Sequence, residues 1–258
     1  MINLININNL LEKGKRQNLE DYIYPKLGHE SFDKKIFIVC DGVGGENSGE
    51  IASKIVAETI GNQLQKIKKK IQKEDLSNAI LAATANLKNY IENHPAAEKM
   101  STTLTVAIIR ESDILVAWCG DSKIYYIHNN NIAWRSKDHS LVQHLIDTGE
   151  VTEEEAKTHP NRNVIFRSIS AKTKIEEISF HCISNLTKGD QILLASDGIF
   201  EQTNDENLIV LLNHTLKDKS KLFFQQCEGR TNDNYSMYLL EFSKNESKKN
   251  KLIPIIAI

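Results

Sequence analysis

The amino-acid sequence predicts an α+β fold. Three observations carry this: runs of β-branched and aromatic residues recur along the chain, helix-period segments come in pairs between them, and the two kinds do not alternate as a parallel sheet requires. No internal repeat and no Pro/Gly/Ser-rich linker divides the 258 residues, and a hydrophobic content of 40% suits an ordinary core. A single domain is expected over 1–243, followed by a basic and apolar tail over 244–258.

The first strand expected is KIFIVCDG at 34–42, a short run rich in Ile and Val that stops at Asp-Gly and so delivers Asp41 to its end. The period then changes. Ile51, Ile55, Ile60, Leu64, Ile67 and Ile71 recur every three to five positions, predicting a long helix over 48–71. Lys68, Lys69 and Lys70 form a solvated face that suits the C-terminal end of its dipole. A second helix is expected over 77–93, with Ile80, Leu87 and Ile91 inward.

From Thr102, TLTVAIIR, ILVAWCG and KIYYIHN are separated by short polar turns and predict an antiparallel meander, with Trp118, Tyr125, Tyr126 and Trp134 in the core or on sheet faces. Two short helices follow in SLVQHLIDTG and TEEEAKTH, the second opened by a capping box from Thr152 to Glu155. Strands return at IEEISFHCI and QILLASDG, helices occupy about 205–229, and YSMYLLEF closes the domain as a strand.

Charge and composition exclude several function classes. With 32 basic against 34 acidic residues the net charge is −2, which leaves no footprint for a nucleic acid. The N-terminus lacks the basic start and apolar core of a secretory signal. The last apolar stretch is far short of the roughly 20 residues a membrane span needs. A cytoplasmic protein with no membrane span is therefore expected. Cys40, Cys119, Cys182 and Cys227 show no zinc or disulfide spacing and are expected to be reduced core residues.

The chemistry lies in aspartates placed where strands end: Asp41, Asp121, Asp197, and Asp233 just before the last strand. A carboxylate cluster with no matching Cys or His set calls for a hard cation such as magnesium or manganese. Any one of these aspartates alone suits a turn or helix cap equally well. His139 and His159 are expected as structural turn residues.

The words around them are more specific. GKRQNLEDY, VCDGVGGENSGEIAS, STTLTVA, CGDSKIYYI, KDHSLVQHLIDTGEVTEEEAKTHPNRNVIFRSI, LLASDGIF and NDNYS occur in the order and spacing of the metal-dependent protein phosphatases, and the chain resembles the bacterial protein phosphatase 2C-like branch from about Lys15 to Phe242. The resemblance implies a four-layer α-β-β-α sandwich of two antiparallel sheets flanked by helix pairs, with metals in a cleft at one edge. It implies a protein serine/threonine phosphatase that holds two Mn2+ or Mg2+ ions and attacks phosphoserine or phosphothreonine with a metal-bridging water or hydroxide. In that family Asp41 resembles the bridging ligand, Gly42 offers its carbonyl, and Asp197 and Asp233 complete the other metal's shell. Asp121 resembles the ligand of a third, weaker ion. Glu20 and Asp21 resemble the acidic pair holding metal-bound waters, and Arg16 the arginine that grips the substrate phosphate. The bare residues also allow Arg16 to be a surface group paired with Glu20.

Val43 stands where many eukaryotic members carry a histidine, which matches the bacterial branch. Ser101, Ser170 and Ser236 replace the usual Gly, Gly and Thr without removing a metal ligand. The implied partners are phosphorylated proteins of a bacterial serine/threonine kinase, met by a monomer. Residues 138–170, a polar excursion between strands, are expected to shape substrate choice. The competing reading is a catalytically weak or inactive sensor or binding module on the same fold. An aspartyl-phosphate enzyme would need a strand-end DxD, and Asp41 is followed by Gly42 and Val43.

Overall fold

The computed structural model describes residues 2–33, 35–43 and 48–244. In chain order the elements are β1 (Ile2–Glu12), β2 (Tyr22–Tyr24), β3 (Ile36–Cys40), β4 (Gly42–Val43), α1 (Gly49–Leu64), α2 (Lys73–Asn93), β5 (Ser101–Thr102), β6 (Leu104–Ile109) and β7 (Asp113–Cys119). They continue with β8 (Lys123–His128), β9 (Asn131–Arg135), α3 (Leu141–Thr148), α4 (Glu153–Thr158), β10 (Ser179–Ser184), β11 (Gln191–Ala195), α5 (Asp205–Leu212), α6 (Ser220–Cys227) and β12 (Tyr235–Lys244). The tail expected beyond the domain lies, from residue 245, outside the described residues.

Two antiparallel five-stranded sheets, ordered β1-β12-β11-β8-β9 and β10-β7-β6-β3-β2, stack face to face. Strand alternation explains why both can be covered on both sides. In β3, Ile36, Ile38 and Cys40 point to α1 and α2, while Phe37 and Val39 point to the other sheet. In β12, Tyr238, Leu240 and Phe242 face the first sheet's partner, and Met237 and Leu239 face α5 and α6. Three apolar layers therefore separate four layers of structure, the α-β-β-α arrangement expected.

Four local expectations need correction. The long helix ends at Leu64 rather than near Ile71, and a capping box between Gln72 and Asp75 already starts α2. Lys68, Lys69 and Lys70 consequently sit in a loop. The face of α1 that packs inward is Ala52, Val56, Ile60 and Leu64, with Ile51 and Ile55 at its margin.

The expected meander is instead split between sheets. β6 and β7 form a hairpin in one, and β8 opens the other after the chain turns at Gly120, whose φ of +104° and close approach to Thr103 exclude a side chain. Cys182 is exposed, since β10 is an edge strand, whereas the other three cysteines are buried and all four are free. β1 was not expected at all. A register shift between Leu4 and Asn6 breaks the period-2 signal that would have revealed it.

Candidate functional site

Each strand-end aspartate sits at the same end of the sandwich. Asp41 follows β3, Asp121 follows β7, Asp197 opens a 3-10 turn (Asp197–Glu201) after β11, and Asp233 precedes β12. Local hydrogen bonds fix their backbones. Asp41 N–H donates to Thr103 Oγ1 at 2.9 Å, and its carbonyl accepts from Thr103 N–H and the Thr102 hydroxyl, both at 2.8 Å. Thr103 Oγ1 also meets Ser122 Oγ at 2.7 Å, so one threonine ties the Asp41 turn to the residue beside Asp121.

Gly42 N–H donates to the Glu20 carbonyl at 3.1 Å. A Cβ on Gly42 would fall 2.3 Å from the Gly49 carbonyl oxygen and 2.7 Å from that of Glu20, so the turn closes only on glycine. Asn234 straps the incoming loop to the start of β12: its Oδ1 accepts from Glu20 N–H at 2.7 Å, and its Nδ2 donates to the carbonyls of Lys13 and Asn18 at 2.8 and 2.9 Å.

Electrostatics set the site apart from the rest of the molecule. Asp21 is buried, and its Oδ2 accepts from Ser196 and Ser236 hydroxyls at 2.7 Å each, while Oδ1 has no partner. Burial raises its pKa to about 7 against the lowering effect of the two serines. Asp197 Oδ1 is also buried and unpartnered. Burial, then repulsion from Asp121, Asp233 and Asp21, lifts Asp197 to about 8.

Asp41 is raised well above the carboxylate range by burial and then by Asp21, Asp197, Asp121 and Asp233. Burial takes Asp121 to about 6, opposed by Lys123, which is ion-paired with Asp138. Asp41, Asp121 and Asp197 keep an open edge toward the cleft, although the surrounding protein desolvates their carboxylates.

Arg16 is exposed and donates through Nη2 to Asp233 Oδ2 at 2.6 Å, so its carboxylate partner is Asp233 rather than Glu20. Glu20 is raised by burial despite the attraction of Arg16. The structure thus brings together all eight residues named from the sequence. Among the described residues no three His, Cys, Asp or Glu side chains are placed as they stand to hold a metal ion, although the carboxylates are near enough to one another for their charges to interact.

Sequence reasoning missed the positioning roles of Thr103, Ser122, Ser196, Ser236 and Asn234. A weak signal existed for four of them, because Ser122, Ser196 and Asn234 adjoin an aspartate and Ser236 stands three residues after Asp233, whereas Thr103 is remote from all of them in sequence. His139 and His159 both make structural contacts. His139 accepts from Gly120 N–H, meets Ser179 Oγ at 2.9 Å and stacks on Trp118, while burial and Arg167 lower its pKa to about 4. His159 ends α4 and accepts from Asn161 N–H at 3.2 Å. The 138–170 excursion carries α3 and α4 and is pinned beside the cleft, where Ile169 and Thr102 exchange backbone hydrogen bonds of 2.7 and 3.0 Å.

Comparison with known proteins agrees with this fold. The model of the protein phosphatase 2C family matches residues 15–236. A serine/threonine phosphatase, stp, of Listeria innocua serovar 6a is 29% identical over 220 residues, covering 82% of this chain and 86% of that protein. The crystal structure of the Mycobacterium tuberculosis serine/threonine phosphatase PstP/Ppp superposes with a TM-score of 0.82 at 25% identity, covering 93% of this chain and 100% of the other. The catalytic domain of PstP in complex with two manganese ions superposes with a TM-score of 0.80 at 23% identity, covering 95% and 100%.

Proposed function

The chain belongs to the protein phosphatase 2C family, and from that premise we propose that it is a metal-dependent protein serine/threonine phosphatase whose site is the aspartate cleft. The observation that carries the assignment of the cleft is its unpaired anionic character. Asp21, Asp41, Asp121 and Asp197 all have raised proton affinity, with neighbouring carboxylates among the causes, and the buried Oδ1 atoms of Asp21 and Asp197 have no partner. Oxygen donors in that number, with no thiolate or imidazole among them, fit hard divalent cations. Asp41, the Gly42 carbonyl, Asp197 and Asp233 would hold two of them, and Asp121 a third, weaker one. Glu20 and Asp21 would orient the surrounding waters. When bound, such ions make a water acidic enough to ionise near neutral pH and offset charge on a phosphoryl group.

The protein's own residues supply the rest. Arg16 engages one of its five N–H donors with Asp233, which leaves a planar fork to take two phosphate oxygens. Its pairing with Asp233 holds that fork at the cleft edge before substrate arrives, reducing the ordering cost on binding. Ser196 and Ser236 hold Asp21, and Thr103 holds the Asp41 turn, so the carboxylates keep their places against mutual repulsion.

The expected substrates are phosphoproteins of a serine/threonine kinase, met by a monomer in the cytoplasm. Among the described residues no helix is long and apolar enough to cross a membrane. The 138–170 excursion, fixed beside the cleft through Ile169, is the segment expected to select among them.

Hydrolysis of an aryl phosphate, and of phosphoserine, phosphothreonine and phosphotyrosine peptides, tests this reading with manganese, with magnesium, with chelator and in Asp197→Asn. Turnover on the first two peptides that disappears on chelation and in the variant is expected. Absence of turnover together with absence of metal binding by calorimetry would leave a binding module.

A further inference from the structure

A cavity of about 660 Å³ lies between the sandwich and the 138–170 excursion. Its floor is aromatic. Trp118 of β7 and Trp134 of β9 meet edge to face with ring centres 5.6 Å apart, and Trp134 stacks on His181 of β10 at 4.5 Å. Its other side is α3 with its N-cap: Ser140, Gln143, His144 and Asp147 line the cavity at positions i, i+3, i+4 and i+7 of one face. The helix therefore turns a polar stripe toward the aromatic floor and does not fill it, while its apolar Leu141, Val142, Leu145 and Ile146 are only half-buried. Phe166 also lines the cavity and is 56% exposed.

The charges around this recess are matched with one exception. Lys137 pairs with Asp147 at 2.8 Å, Asp138 with Lys123, and Arg135 with Asp205 at 2.8 Å and Glu153 at 3.6 Å. Glu177, whose charge is felt at Cys119 together with that of Arg167, turns its Oε2 back to the Lys174 N–H at 3.2 Å. Arg167 lines the recess, is exposed, and pairs with no carboxylate among the described residues. The recess is thus not a basic surface. Both carboxylates on its wall are engaged, and what it leaves free is one guanidinium fork beside aromatic rings.

The recess shares a wall with the aspartate cleft. Asp138 and His139 line it, and both abut the turn that carries Asp121. His139 N–H donates to the Gly120 carbonyl at 2.8 Å, Gly120 N–H donates to His139 Nδ1 at 3.3 Å, and Lys123, the partner of Asp138, follows Asp121 and Ser122. A peptide whose phosphorylated side chain enters the cleft on this side lays its neighbouring residues along the recess.

We propose, on the phosphatase reading, that Arg167 and the aromatic recess form a subsite for an acidic side chain a few residues from the phosphoserine or phosphothreonine of a protein substrate. The guanidinium takes the carboxylate as a two-pronged, charge-assisted pair, and Trp134 and Phe166 flank the methylenes that carry it. A lysine at the same peptide position meets like charge. A glutamine keeps the shape but forms only weaker, neutral hydrogen bonds.

The chain's two tryptophans both line the recess, so tryptophan emission reports on this place alone. Phosphothreonine peptides carrying glutamate at each flanking position in turn, and glutamine in its place, are hydrolysed by the manganese-loaded chain. Their phosphonate analogues, which resist hydrolysis, are titrated into the same protein with tryptophan emission as the signal. At one position glutamate is expected to lower KM, and the dissociation constant read from emission, about tenfold against glutamine, with the preference weakened by salt. Arg167→Gln should abolish the preference and Arg167→Lys should keep part of it. The glutamate-to-glutamine ratio is taken within each protein, so a general change in rate or folding cancels. Equal treatment of the two peptides at every position overturns the proposal, and so does a preference that survives in Arg167→Gln. A preference that leaves tryptophan emission unmoved also overturns it, by placing the acidic subsite elsewhere. Turnover without any glutamate preference sinks the subsite alone, whereas absence of turnover on every peptide and on an aryl phosphate counts against the phosphatase reading.

Discussion

Arg16 and Asp233, 217 residues apart in sequence, are ion-paired at 2.6 Å, so the first and last thirds of the chain meet at the cleft. The pair is more than half exposed on the arginine side and contributes little to stability. Its consequence is orientation. Arg16→Ala is expected to lower kcat/KM for an aryl phosphate by about 100-fold, with a melting temperature close to the parent's. Arg16→Lys should recover only part of the loss, because an ammonium keeps the charge but not the two-pronged geometry. Steady-state kinetics on the three proteins checks this, and full activity of Arg16→Ala would remove the arginine from phosphate binding.

Crowding of carboxylates gives the metal-free protein a specific pH dependence. Asp21 and Asp197 have folded-state pKa values of about 7 and 8, raised first by burial from an ordinary value of 3.8. A raised carboxylate binds its proton more tightly in the fold, so its contribution is complete below the ordinary value and disappears as pH rises through 7 and 8. The chelated protein should therefore melt at progressively lower temperature from pH 5 to pH 8. Manganese takes over the neutralising role of the protons, and its stabilising shift should be larger at pH 8 than at pH 5. Thermal unfolding with and without the ion measures both trends.

The architecture was legible because strands covered on both faces read as continuous apolar runs. β3 and β6 are buried throughout, β7 from Ile114 onward, and β11 is apolar from Ile192. β1 escaped because a bulge shifts its alternation, and the change of sheet after β7 escaped because one positive-φ glycine, Gly120, redirects the chain without altering the strand pattern on either side. In the site, Asp41, Asp197 and Asp233 were visible from their positions at strand ends. The serine and threonine hydroxyls that hold them were not, because a hydroxyl's partner is set by tertiary approach: Ser196 and Ser236 reach Asp21 across 175 and 215 residues.

His139 supplies an acid-side prediction of opposite sign to the aspartates. Its pKa is lowered to about 4 from 6.5 by burial and then by Arg167, so the fold holds it neutral. A lowered histidine contributes stability that is present above pH 6.5 and lost as pH falls toward 4. His139→Gln should be less stable than the parent at pH 7 by about 1 kcal/mol, for a lost hydrogen bond. Its stability should decline less steeply between pH 6.5 and 4. Urea unfolding across that range decides the matter, and parallel curves for the two proteins would show that the imidazole is not titrating there.

Gly42 gives the most local test of how the cleft is built. A methyl group there would stand 2.3 Å from the Gly49 carbonyl oxygen, 2.4 Å from its carbon and 2.7 Å from the Glu20 carbonyl oxygen. All three are backbone atoms, so no side chain can rotate away, and relief requires separating the Asp41 turn from the start of α1 or from the loop at Glu20. Either movement displaces Asp41 relative to Asp21 and Asp197. Gly42→Ala is therefore expected to lower manganese affinity and kcat together, by about 100-fold in the rate, while destabilising the fold by about 1–3 kcal/mol for overpacking. Gly149 provides the control: it closes α3 at φ +77° with nothing within 4 Å of an added Cβ, so Gly149→Ala strains only its own backbone and should leave metal affinity intact. Calorimetric titration of manganese into both variants separates damage to the cleft from a general loss of stability, and an unchanged affinity in Gly42→Ala would mean the turn can open without moving Asp41.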